Sequence, residues 1–194
     1  MDTTTLDQAA QRRKRRRRAL LAVLLGASLA TLGSGALSLA IFTDSRASTG
    51  SWTSGTIILG IAPATAFNAS NILPGDNGSQ TITVSNTGTG ALRYAMSTGA
   101  TNADGKGLAA QMNLTVQAGT CAAPGATLYS GALGSAALGS NAQGAQAGDR
   151  TVASGASDSL CFSWSFPLGS GNGFQNAATT ATFTFDAEQT ANNP

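Results

Sequence analysis

Leu160-Cys161-Phe162-Ser163-Trp164-Ser165-Phe166 alternates large apolar side chains with small or polar ones at a period of two. Successive side chains of an extended chain point to opposite faces, so Leu160, Phe162 and Trp164 share one face and Cys161 and Ser163 the other. This is how a half-buried antiparallel strand reads. Ala181-Thr182-Phe183-Thr184-Phe185-Asp186-Ala187 repeats the pattern, as do residues 80–85, 92–96 and 112–116. Residues 56–61 add a strand with apolar side chains on both faces, and shorter strands fit near 127–129 and 151–153. No stretch after residue 43 carries a helical period of useful length. Seven or more short strands separated by Gly, Pro and Asn turns predict an all-β fold, an antiparallel β-sandwich of immunoglobulin or jelly-roll type.

The expected core is thin. Only 26 of the 154 residues after Ala40 are Leu, Ile, Val or Phe. Such poverty signals disorder when net charge is high. Here four basic and seven acidic residues follow Ala40, a net charge of −3, so a folded domain with long loops is expected. Residues 131–148, rich in Gly, Ala and Ser, are the stretch expected to be flexible.

Upstream, Arg12-Arg13-Lys14-Arg15-Arg16-Arg17-Arg18 precedes an uncharged run over residues 19–42. A basic region, an apolar region and small residues near its end compose an export signal. Ser38-Leu39-Ala40 places the cleavage between Ala40 and Ile41. The alternative is a retained transmembrane helix, since the run is long enough to span a bilayer. Both put the domain outside the cytoplasm, secreted or at the cell surface, with the membrane a partner only during export or anchoring. In that compartment Cys121 and Cys161 read as one disulfide. It should stabilise by roughly 3–4 kcal/mol on the chain-entropy model.

The chemistry excluded is broad. The whole chain has no histidine, which removes the commonest general base and the commonest zinc ligand. The basic residues sit in the N-terminal tail, so a nucleic-acid partner is not expected. Asp186 and Glu188 share a strand face, where they read as solubilising charge. No nucleophile with a base and no phosphate loop is present. The sequence therefore predicts no enzyme, no cofactor, no metal and no small-molecule substrate.

Several short motifs occur in order: Ala40-Ile41-Phe42-Thr43-Asp44, Gly55-Thr56-Ile57-Ile58-Leu59, Leu73-Pro74-Gly75-Asp76, Val84-Ser85-Asn86-Thr87-Gly88, and Phe183-Thr184-Phe185-Asp186-Ala187-Glu188-Gln189. Pro74-Gly75 suits the centre of a type II turn, with Asp76 bonding local backbone. Asn86-Thr87-Gly88 reads as a turn ending a strand. In order and spacing this set resembles the TasA/camelysin family of bacterial exported proteins. Ile58 departs from the polar residue frequent there, and the cysteine pair is a second departure.

The resemblance implies a jelly-roll subunit of extracellular, biofilm-matrix fibres, matured by a SipW-type signal peptidase, with its own copies as partners. It implies residues 1–40 as tail and signal, 41–54 as an extended segment, 55–189 as the sandwich and 190–194 as a C-terminal tail. The extended segment is a candidate donor strand, with Phe42 and Trp52 as anchors; an unstructured leader is the alternative. A monomeric or membrane-anchored adhesin is the alternative function. The family also has a branch described as a casein-cleaving metalloprotease, which a chain without histidine does not suit.

Overall fold

The computed structural model describes residues 43–194. The expected signal or membrane helix, the junction of Ala40 with Ile41, and Phe42 lie outside the described residues. A first unit ends at Ser51, and the second, Trp52–Pro194, carries all the regular structure described below.

Its strands are β1 (Leu59–Ala62), β2 (Asn77–Asn86), β3 (Leu92–Ala100), β4 (Asn113–Thr120), β5 (Ala123–Ala132), β6 (Ala137–Leu138), β7 (Arg150–Val152), β8 (Ser157–Ser165) and β9 (Ala181–Gln189). One helical turn, α1 (Leu108–Gln111), joins β3 to β4, so the all-β expectation holds. One antiparallel sheet runs β1-β2-β8-β4-β5. In the other, β3 is central, with β9 paired along its full length and β7 and β6 paired in succession. Residues 139–149 interrupt what is otherwise one continuous strand formed by β6 and β7.

Period-two patterning fills the space between the sheets. Ile82 and Val84 of β2, Leu160 and Phe162 of β8, and Leu114 and Val116 of β4 face Leu92, Tyr94 and Met96 of β3, all buried. Phe162 meets Phe183 edge-on, with ring centroids 5.1 Å apart. Polar groups also tie the sheets together. The Tyr94 hydroxyl donates to Asp158 Oδ2 (2.7 Å), and Arg150 donates to both oxygens of the same carboxylate (2.6 and 2.9 Å). Burial opposes ionisation of Asp158, but the bonds from Arg150 and Tyr94 outweigh it and hold the carboxyl below its usual range. Burial and the same carboxylate push the Tyr94 hydroxyl far above its ordinary value.

The turn motifs form as expected. Asp76 N–H donates to Leu73 O (3.0 Å), Gly75 takes φ +103°, and the Asp76 carboxylate accepts from Leu73 N–H (2.8 Å). At the turn after β2, Asn86 Nδ2 donates to Gly90 O (2.8 Å) and Val152 O (3.1 Å), and its Oδ1 accepts from Gly88 N–H (3.0 Å).

Two expectations change. The strand expected over 56–61 begins only at Leu59: residues 56–58 instead bond the turn after β2 through Thr56 O and Ile58 O, and Ile57 and Ile58 are exposed. Nor are residues 131–148 a free linker. Leu133, Ala136 and Leu138 are buried in the core, and Asp149 accepts from the N–H groups of Ser140 (3.0 Å) and Gln146 (2.8 Å), which closes the excursion. Small residues hide three core contacts there.

Cys121 and Cys161 are joined. The bridge lies on the outer face of the first sheet, opposite Phe162 and Trp164, and lays the tip between β4 and β5 against β8. Cys121 N–H also donates to Thr81 Oγ1 (2.9 Å).

Candidate functional site: an uncharged groove between two strand edges

The pairing registers define two ends of the sandwich. At one end lie Asn77 of β2, Ser165 of β8 and Asn113 of β4, and α1 brings Ala100 of β3, with Ala181 of β9, to that same end. At the other end are the turn after β2, the start of β8 and the close of β9. The strands that bound the first end are incomplete. β1 pairs only with Thr83 to Asn86, leaving one edge of residues 77–82 of β2 bare. β9 pairs with β3 alone among the described residues, so its other edge has no strand partner; only at its end does the Gln189 carbonyl accept from Asn193 Nδ2 (3.2 Å).

Between these edges lies a groove of about 1040 Å³. Its floor and walls include Ile82, Leu133, Trp164, Phe166, Phe183 and Phe185. Phe183 and Phe185 carry the strongest alternation in the sequence, yet they are only half-buried. The thin core is therefore local: the sandwich is filled around β3 and β8 and unfilled beside β9. Phe67, from the β1–β2 connection, stands edge-on to both Trp164 and Phe183, at 6.5 Å from each. Phe174 meets Phe166 edge-on at 6.3 Å.

Among the described residues, no Asp, Glu, Lys or Arg lines this groove. It offers an aromatic floor, a rim of Thr, Ser, Asn and Gln side chains and unpaired strand backbone, which suits an extended segment carrying an aromatic among polar residues, and it supplies no acid or base. The charged side chains serve elsewhere. Arg93 pairs with Glu188 (2.6 Å) and also donates to Asn193 O; this pairing holds the Glu188 carboxyl below its usual range. Asp104 is held low by N–H donation from Lys106 (3.0 Å) and Ala178 (2.8 Å).

Of the residues singled out from sequence, Cys121 and Cys161 are brought together, while Asp186 and Glu188 share the outer face of β9. Trp52 stands 91% exposed. Phe67 and the groove itself were not legible beforehand. The one available signal was a lone aromatic in Pro63-Ala64-Thr65-Ala66-Phe67-Asn68-Ala69-Ser70-Asn71-Ile72, a run otherwise short of large side chains.

Fold and site together define an all-β, two-sheet domain with an open, uncharged groove, and no cluster of metal-ligating side chains among the described residues. Residues 13–111 match the family described as camelysin metallo-endopeptidase, and the chain belongs to that camelysin/TasA family. The match ends within α1, so β4 to β9 and both cysteines lie beyond it. A search of the curated proteins finds no match.

The family's description implies a metal, and the donor set does not fit zinc. The chain has no histidine, its two cysteines are bonded to each other, and no three His, Cys, Asp or Glu residues cluster among the described residues. Asp158 and Glu188 are each committed to an arginine. Zinc needs three or four such ligands converging within about 2–2.3 Å of the ion.

Proposed function

We propose that this chain is an exported structural subunit of extracellular fibres or cell-surface matrix, in which a segment of one copy adds as a strand to the groove of the next. On this reading a SipW-type signal peptidase cleaves between Ala40 and Ile41 and frees residues 41–54 as the donor. The subunit is then of jelly-roll type, as the family resemblance implies. The observation that carries the reading is the groove beside β9: uncharged, floored by aromatic side chains, and flanked by strand edges without a strand partner among the described residues. Such edges invite pairing, and folds that stay monomeric protect them.

Placement favours a fibre over a closed dimer. Thr56, where the N-terminal segment joins the domain, bonds the turn 86–90, at the end opposite the groove. The attachment point of the donor and the groove therefore sit at opposite ends of the domain, and a head-to-tail contact between such ends propagates into an open filament. Phe42 lies 14 positions before Thr56, a reach of about 45 Å when extended, enough to seat it deep in a neighbouring groove. Trp52, four positions away, belongs at the junction.

Blocking cleavage at the junction of Ala40 with Ile41, or deleting residues 41–48, should abolish filaments in electron micrographs while the far-ultraviolet spectrum stays that of a β-sandwich. Filaments formed regardless would discard the donor role. The family's description also names a peptidase activity. On this reading the purified protein shows no zinc-restorable, chelator-sensitive hydrolysis of casein.

A further inference from the structure

We propose that residues 63–72 form a displaceable strap over the groove, with Phe67 holding the aromatic slot that an entering strand takes. This rests on the strand-addition reading and concerns how the groove is kept covered in a free subunit.

The strap begins where β1 stops, half-way along β2, and ends at the turn of Leu73 and Asp76. Its residues 64–72 make no backbone or side-chain hydrogen bond among the described residues; the first such bond on leaving the strap is that of Leu73 N–H to Asp76. Seven of its ten residues are exposed, and Ala66, Phe67 and Ile72 are half-buried. Side-chain contact alone therefore holds it, and the ring of Phe67 between Trp164 and Phe183 is the largest part of that contact. Beneath it the groove of about 1040 Å³ stays open, so the strap spans the gap without filling it.

A strand entering the same gap makes what the strap does not. It meets the free edge of β9 and the bare edge of residues 77–82 with backbone hydrogen bonds, and it brings side chains at a two-residue spacing for the floor. The slot between Trp164 and Phe183 accepts one aromatic ring. Phe67 fills it in the free subunit, and an aromatic on the entering segment competes for it. The strap shields an aggregation-prone edge until a correct segment arrives, and its lack of backbone bonds lets it leave.

The test is a titration of a fluorescent synthetic peptide of residues 41–54 against the full-length chain in detergent, as wild type, Phe67→Ala and Phe67→Leu, with amide hydrogen exchange followed alongside. Phe67→Leu keeps an apolar plug and serves if the alanine variant folds poorly, which thermal melts report. A competing strap predicts binding about tenfold tighter in Phe67→Ala and intermediate in Phe67→Leu. Peptide should slow exchange over residues 181–189 and speed it over 64–72. Slowed exchange in β9 with unchanged or weaker binding by the Phe67 variants would overturn the strap and leave strand addition standing, because Phe67 would then be a fixed wall. Binding in no variant would overturn both.

Discussion

Asn86 has no exposed surface, yet every polar atom of its side chain is bonded, joining the turn after β2 to the end of β7. Asn86→Ala leaves the Gly88 N–H and the Val152 carbonyl without that partner, and should cost about 3 kcal/mol in denaturant unfolding. Asp158→Asn breaks a half-buried ion pair between the sheets, for about 2 kcal/mol. The pH dependence follows from the lowered pKa of Asp158. A carboxyl more acidic in the folded than in the unfolded state contributes stability above about pH 4, and that contribution is lost as pH falls through the folded value. Melting temperatures at pH 7 and pH 3 should therefore converge in Asp158→Asn relative to wild type. Sequence alone marked Asn86 as a turn residue. Its burial depends on β7 arriving beside it, which no local pattern announces.

Elements with strict alternation were legible because period two is imposed by strand geometry itself: β2, β3, β8 and β9 fall where the pattern put them. β5 was legible only in part. It runs over ten residues of mixed small side chains, and its register with β4 shifts at Val116 and again at Gln117, which scrambles any simple alternation. The hairpin of β4 and β5 curls over the sheet and is held there by Cys121 and Cys161. Replacing both by serine, or reducing the bridge, should cost about 4 kcal/mol on the loop-entropy model for a separation of 40 residues. Protease cutting within 119–123 should increase in that variant; a tip equally protected without the bridge would show that the Thr81 contact suffices. Gly88 serves the N-terminal side in the same way. A Cβ there would collide with the carbonyl of Thr56, so Gly88→Ala should loosen residues 52–58 and speed their hydrogen exchange.

At the scale of the molecule, the groove was not legible because it is made by what stops short. Among the described residues, β1 ends after four residues, β9 has one neighbour, and the connection between β1 and β2 crosses the gap without pairing. None of these facts is local to a motif, although the scarcity of large apolar residues already hinted that something was unfilled. On the proposed reading, a domain with an uncharged groove at one end and Thr56 bonded to the turn at the other suits end-to-end contact with its own kind. The most direct measurement is solid-state NMR on assemblies grown from an equal mixture of carbon-13-labelled and nitrogen-15-labelled chains. Strand addition predicts intermolecular cross-peaks between residues 41–54 of one copy and Phe183, Phe185 and Trp164 of another. Assemblies in which residues 41–54 contact only their own copy, or in which β9 has no intermolecular partner, would contradict it.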